Sequence, residues 1–379
     1  MVRRPTRIAA LDYRPPLALR LIKGTLITLV AAAVICVGYT VYWFYVASAF
    51  RDGLPAWIER MAGPGATLAY RQLEISGYPF RFRLILAEPL LDAPALPALA
   101  DKPLTWKASR IVAMMAPWNW NSFAVDLAGT HDLTLPAERG PVSVQASATQ
   151  LMTETELHDD GRPETVQVDV ADLRVQDRNG TAEPVWAAGS ASLFARRLFP
   201  KGDPADKPTF ELKVRLHDIR LPPGDLALGR ELSRFSGEAK VMGPLADPTS
   251  TDALAKWRDA GGIVEFIVSE SRYGPLAMTA NGTAALDAAL QPMAAMTANV
   301  QGLFPAIDAL RSKELIRSRD AAMAKMVLSV MSRPGENGVP TISLPFTLQD
   351  GKLSAATVPL MDVPPIPWPK EQGRPRIVK

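Results

Sequence analysis

Between Lys23 and Arg51 the chain carries no charge at all. That run, residues 24–50, is 27 residues long. As a helix it extends about 40 Å, against a hydrocarbon core of about 30 Å. Tyr39, Tyr42, Trp43, Phe44 and Tyr45 crowd its C-terminal end, where an interfacial aromatic belt belongs. Nothing amphipathic interrupts the run, so a buried helix of a soluble protein is a poor reading. Ala47-Ser48-Ala49 fits a signal-peptidase site, but the apolar stretch far exceeds the usual ~7–15 residues of a cleaved signal. Ile35 before Cys36 is too bulky for a lipoprotein processing site. The sequence therefore predicts one transmembrane helix over 24–50.

The net charge of +3 divides unevenly. Residues 1–23 hold six basic side chains against Asp12 alone, which is +5, and the other 356 residues sum to −2. The basic tail is a topology signal and not a nucleic-acid-binding surface, so no nucleic-acid partner is expected. The positive-inside rule places 1–23 in the cytoplasm and the body in the periplasm, with the span in a bacterial inner membrane. One Cys excludes an intramolecular disulfide and a Cys-ligated zinc site. Proline, 34 of 379 residues, is about twice as common as usual and argues against helices over most of the chain.

After residue 66 the apolar period becomes two. Phe210, Leu212, Val214 and Leu216 alternate with Glu211, Lys213, Arg215 and His217, as a strand with one buried and one wet face does. Thr165 to Val170 repeats the pattern. A weak repeat links His131-Asp132, Ala171-Asp172 and His217-Asp218, with the Asp positions 40 and 46 residues apart. In the second and third copies the apolar phase slips by one at the Asp, which predicts a bulge. Asn179-Gly180, Asn281-Gly282, Asn337-Gly338, Asp160-Gly161 and Asp350-Gly351 read as hairpin turns.

The expected fold is mainly β (α+β): elongated, curved antiparallel sheets with a few packed helices. The expected divisions are a basic tail (1–23), the span (24–50), a juxtamembrane helix (51–65), a repeat-like β half (66–236), a second β half (237–362) and a Pro-rich tail (363–379). Helices are expected near 251–259, capped at Thr251-Asp252, and over 303–332, with an apolar stripe from Phe304 to Val330.

Three stretches resemble a functionally uncharacterised family of inner-membrane-anchored periplasmic proteins of alphaproteobacteria, and distantly the AsmA-like envelope proteins. One is Ile75-Ser76-Gly77-Tyr78-Pro79-Phe80-Arg81. The second runs from Trp257-Arg258-Asp259-Ala260-Gly261-Gly262 through Tyr273-Gly274-Pro275-Leu276 and Gly282-Thr283-Ala284-Ala285-Leu286-Asp287 to Leu290-Gln291-Pro292. The third is Leu344-Pro345-Phe346-Thr347-Leu348-Gln349-Asp350-Gly351-Lys352-Leu353. The resemblance implies a β-rich periplasmic body on an inner-membrane anchor. It transfers no catalytic residue.

No nucleophile elbow, zinc-protease helix, P-loop or dinucleotide fingerprint occurs. His131, His158 and His217 lack a ligand spacing. Glu154, Glu156, Asp159 and Asp160 read as a solvated loop, and Arg196, Arg197 and Lys201 as a small basic cluster. Met114, Met115, Trp118 and Trp120 crowd one stretch and are the candidate ligand or partner contacts. The expectation is a non-catalytic binding or scaffold protein of envelope biogenesis or lipid handling, with no cofactor. Its expected partners are the membrane and a lipid or envelope protein. A structural protein–protein module and a hydrolase with an unfamiliar site are the alternatives.

Overall fold

The computed structural model describes residues 17–63, 65–96, 102–136, 140–178, 185–199, 207–224, 226, 228–248, 250–335, 338–356, 358–366 and 368. Asn179-Gly180, Asn337, Lys201 and the basic residues before Leu17 lie outside them. The first element is one helix, α1 (Leu17–Ala62), about 69 Å long. Within it Thr28–Arg60 is long and apolar enough to cross a membrane, compatible with a single-pass anchor. The separate juxtamembrane helix expected over 51–65 is instead the same helix continued through Pro55. It stops at Gly63, whose φ of 94° and N–H bond to the Glu59 carbonyl close the last turn.

From there the chain is a meander, each pass antiparallel to the one before. The first five passes are split strands: β1 (Thr67–Ala69) with β2 (Gln72–Ser76), β3 (Phe82–Ala87) with β4 (Leu90–Leu96), β5 (Lys102–Ala108) with β6 (Arg110–Ala116), β7 (Asn119–Asp126) with β8 (Gly129–Leu135), and β9 (Val142–Ala148) with β10 (Gln150–Leu157). Single strands follow: β11 (Pro163–Asp177), β12 (Trp186–Arg197), β13 (Pro208–Arg220) and β14 (Glu231–Met242). Helix α2 (Thr251–Asp259) leads into β15 (Ile263–Tyr273), β16 (Leu276–Leu286) and β17 (Pro292–Gln301). Then come α3 (Leu303–Ser312), α4 (Ser318–Met331), β18 (Arg333–Pro334), β19 (Pro340–Gln349), β20 (Lys352–Ala355) and β21 (Val358–Asp362). All belong to one antiparallel sheet, so the mainly β class stands, with a single sheet where several were expected.

The first nine passes are interrupted at a common level. Glu88, Ser109, Thr149, Asp172, Gly189, Asp218 and Ser233 each lack a ladder partner, and the fourth pass breaks between Asp126 and Gly129. Glu88, Asp172 and Asp218 have φ of 50°, 50° and 52°. These interrupted residues touch one another across the sheet. The Glu88 N–H donates to the Ser109 carbonyl at 3.1 Å, and the Thr149 hydroxyl donates to Asp172 Oδ2 at 2.9 Å. A Cβ on Gly189 would lie 3.1 Å from the Asp218 Cβ. This is a crease, not the isolated bulge the phase slip predicts. Ala171 faces Ser190 and Leu173 faces Ala188, so the pairing register is the same on both sides. Neighbouring strands slip together, and a shared slip costs no register. The first repeat copy does not take part: Asp132 lies beyond the crease, where Arg178 reaches it at 3.3 Å.

The slip keeps one face apolar along the whole strand. On β11, Val166, Val168 and Val170 are succeeded by Leu173 and Val175; on β13, Leu212, Val214 and Leu216 are succeeded by Ile219. Asp is suited to the crease because its short polar side chain tolerates a left-handed backbone. Asp218→Val should therefore lower stability by about 1–2 kcal/mol, whereas Asp218→Gly should be close to neutral. Urea denaturation of both variants checks this; equal losses would refute a backbone origin.

Asn281-Gly282 is not a turn. It lies inside β16, opposite Ile267 and Phe266 on one side and Thr297 and Met296 on the other. The hairpin before β16 turns at Gly274-Pro275 instead. Gly282 is needed because a Cβ there would sit 2.4 Å from the Ala295 carbonyl oxygen. Asp350-Gly351 does form its hairpin, with φ of 52° and 69°, as a type I′ turn requires.

Helix α2 occupies the expected 251–259 but is capped by Ser250, whose side chain accepts from the Ala253 N–H. The single helix expected over 303–332 is two. Glu314, with φ of 60°, breaks it, and α4 folds back so that Lys325 Nζ donates to both Asp308 carboxylate oxygens at 2.7 Å. Met326 and Val330 of the expected apolar stripe are 72% and 84% exposed.

Candidate functional site

Helices α1, α2 and the start of α3 pack on the apolar face of the sheet, towards its two ends. At the near end Trp43 of α1 stacks on Phe82 with centroids 5.1 Å apart, and Ala47 joins the same buried cluster. Ile75 and Met115 pack against it. At the other end α2 presses Leu254 and Trp257 onto Phe210, Val241 and Val264. Leu303, which opens α3, packs against the buried Ala280, Ala298 and Val300.

Between these ends the apolar rows continue without a lid among the described residues. Thr153, Val168, Leu193 and Val214 form one cross-strand row; Val166, Ala195 and Leu212 form the next. Leu212 is 38% exposed and the others are half-buried. Just past the crease on this face, Ala108, Ala148, Ala188 and Ile219 are only 1–7% exposed, and none belongs to a cluster packed by a helix. The apolar strip between the helix-covered ends, uncovered along the middle passes and bordered by the crease, is termed the trough below.

Three of the four candidate contact residues, Met114, Met115 and Trp118, line one cleft, and Trp120 does not. Met115 joins the α1 junction. Trp120 lies there too, its ring 5.8 Å from Phe50 and 5.9 Å from Phe82. Met114 points to the wet face and lines a cleft of about 740 Å³ with Ala124, Glu154 and Gln167. Trp118 stands at the turn between β6 and β7, 67% exposed, on the rim of the same cleft. Sequence reading missed Phe82, Tyr78 and Phe50, which build the junction; the aromatic Gly77–Phe82 turn was their signal.

Trp106 Nε1 donates to His131 Nδ1 at 3.2 Å, so His131 carries its proton on Nε2 and donates it to the Leu127 carbonyl at 2.6 Å. His158 packs edge-on against Phe199 at 4.1 Å. Glu154 and Glu156 lie on β10, not in a loop, and face the wet cleft. At the next turn the Arg162 guanidinium holds the Asp160 carboxyl down to about 2. Among the described residues no cluster of His, Cys, Asp and Glu could hold a metal ion. In the Pro-rich tail, Trp368 Nε1 donates to the Leu290 carbonyl at 2.9 Å and the Ile366 N–H to Gln291 at 2.7 Å, so this part is docked on the sheet.

No curated protein matches the chain. A family model described as an uncharacterized protein conserved in bacteria matches residues 43–364, from the aromatic end of α1 to the docked tail. That stretch contains the α1 junction, the crease and the trough, and the chain belongs to this family, DUF2125.

Proposed function

We propose that this chain is a non-catalytic, membrane-anchored module of the bacterial cell envelope that holds the hydrocarbon part of a lipid in its trough. The carrying observation is the run of apolar rows over the middle passes, uncovered by any helix among the described residues. A row of half-buried Val and Leu several strands wide is larger than the scattered apolar residues of an ordinary surface. Its shape suits an acyl chain, which asks for area and no hydrogen bonds. The distant AsmA-like resemblance of the sequence points the same way. The basic residues before the span favour a cytoplasmic N-terminus and a periplasmic body at the inner membrane. Mass spectrometry of the full chain purified in detergent should find co-purified phospholipid or another acylated molecule. Protein free of lipid, and without lipid exchange between vesicles, refutes the reading.

A second reading rests on α4. Met323, Met326, Val327 and Val330 are all more than half exposed on one helix, as a protein-docking face would be. In-cell crosslinking that traps one stoichiometric protein on α4 would favour a scaffold role.

A further inference from the structure

We propose that the first two turns at one end of the sheet, at Tyr78–Phe80 and at Trp118, enter the lipid leaflet on the body's side of the membrane and form a wedge against α1. The inference rests on α1 crossing a bilayer, and not on the lipid cargo proposed above.

Twenty helical residues after Lys23 span about 30 Å, the full hydrocarbon thickness. Tyr39 to Trp43 therefore stand at its far boundary, and both turns are hydrogen-bonded to that segment. The Tyr39 hydroxyl donates to the Pro79 carbonyl, and Thr40 Oγ1 and the Tyr78 hydroxyl are 2.7 Å apart. Trp43 Nε1 donates to the Arg81 carbonyl at 3.2 Å, and the Tyr42 hydroxyl to the Pro117 carbonyl at 3.2 Å. A turn entering lipid must have its backbone carbonyls satisfied by protein, since an unpaired one costs several kcal/mol there. Here the span supplies the donors for three such carbonyls.

The side chains at these turns suit a leaflet. Phe80 is 69% and Trp118 67% exposed, and Tyr78 47%. Phe44 and Tyr45 of α1, 59% and 71% exposed, lie in the same segment of the span. Aromatic residues concentrate at this depth of a bilayer. The flanking Arg81 has an aliphatic stem that lets its charge reach the headgroups. The next turn on this edge, Asp159-Asp160-Gly161-Arg162, is charged and cannot follow, so the sheet leaves the membrane after the fourth pass. The wedge places the near end of the trough at leaflet depth.

Full-length protein carrying Cys36→Ala can be given a single labelled cysteine by Phe80→Cys, Trp118→Cys or Asp160→Cys. With an environment-sensitive fluorophore, each is reconstituted into phosphatidylcholine–phosphatidylglycerol vesicles. A nitroxide on the upper acyl chain should quench the labels at 80 and 118 several-fold more than the label at 160, and iodide should show the reverse order. Iodide access at 80 and 118 equal to that at 160 overturns the wedge. A parent labelled at its native Cys36 reports separately on the span. Lipid quenching there together with iodide access at 80 and 118 rejects the wedge alone; no lipid quenching at Cys36 rejects the anchor and the wedge with it. Lipid retention by mass spectrometry remains an independent readout of the trough.

Discussion

Replacing Trp257 by alanine should destabilise the sheet's far half by about 3–5 kcal/mol, the largest loss expected of any single side chain here. The ring is 2% exposed and fills the space between α2 and the ends of three strands, against Phe210, Val241 and Val264. Removing it leaves a cavity that a sheet cannot collapse into, because the ladder fixes the strand spacing. It also strands the Met242 carbonyl, which accepts from Trp257 Nε1 at 2.7 Å. The docked tail depends on the same cluster through Trp368. Gly262→Ala should act in the same direction, since its Cβ would lie 2.2 Å from the indole, a rigid ring that cannot step aside. Urea denaturation of the full chain in detergent is the measurement. Trp118→Ala, at a 67% exposed site, is the control and should stay within about 0.5 kcal/mol of the parent. Equal losses at 257 and 118 would show that the Trp257 cluster does not hold the sheet.

The strands were legible because their period of two is a direct image of a sheet with one wet face. The crease was legible in part. A slip of one at Asp172 and Asp218 is visible in the order of residues, but that every neighbour slips at the same level is a property of pairing. Met114 and Met115 teach the opposite lesson. Neighbours in a strand point to opposite faces, so Met115 packs into the α1 junction and Met114 does not, although both border the cleft. Asn281-Gly282 misled because its dipeptide suits a turn while the alternation through Met278, Ala280 and Ala284 runs on around it. The break at Glu314 has no local signal: a glutamate in the left-handed region is chosen by the return of α4 onto Asp308. Tyr39 and Trp43 read as a membrane belt, yet their polar atoms serve the sheet's turns. Only the fold brings Pro79 and Arg81 within reach of them.

A single carboxylate in the trough should abolish lipid retention while sparing the fold. Leu193 and Val168 face each other in the middle of the uncovered rows, both half-buried. Leu193→Glu or Val168→Glu would set a charge against an acyl chain, and a charge desolvated by hydrocarbon costs far more than the ~1.4 kcal/mol that separates each tenfold in occupancy. Glutamate is the better probe than lysine, whose long stem can carry its charge out to water. Co-purified lipid per protein should fall at least about tenfold in either variant. Phe194→Glu provides the contrast. It is the next residue on the same strand and points to the wet face, among Gln167, Lys213 and Arg215. It changes the same charge by the same amount and should leave the lipid in place. Loss in Leu193→Glu with retention in Phe194→Glu assigns the cargo to one face of one sheet. Equal behaviour of the two would mean that bound lipid reports detergent history or the span alone, because no other property distinguishes two adjacent residues so cleanly as the side of the sheet on which each one lies.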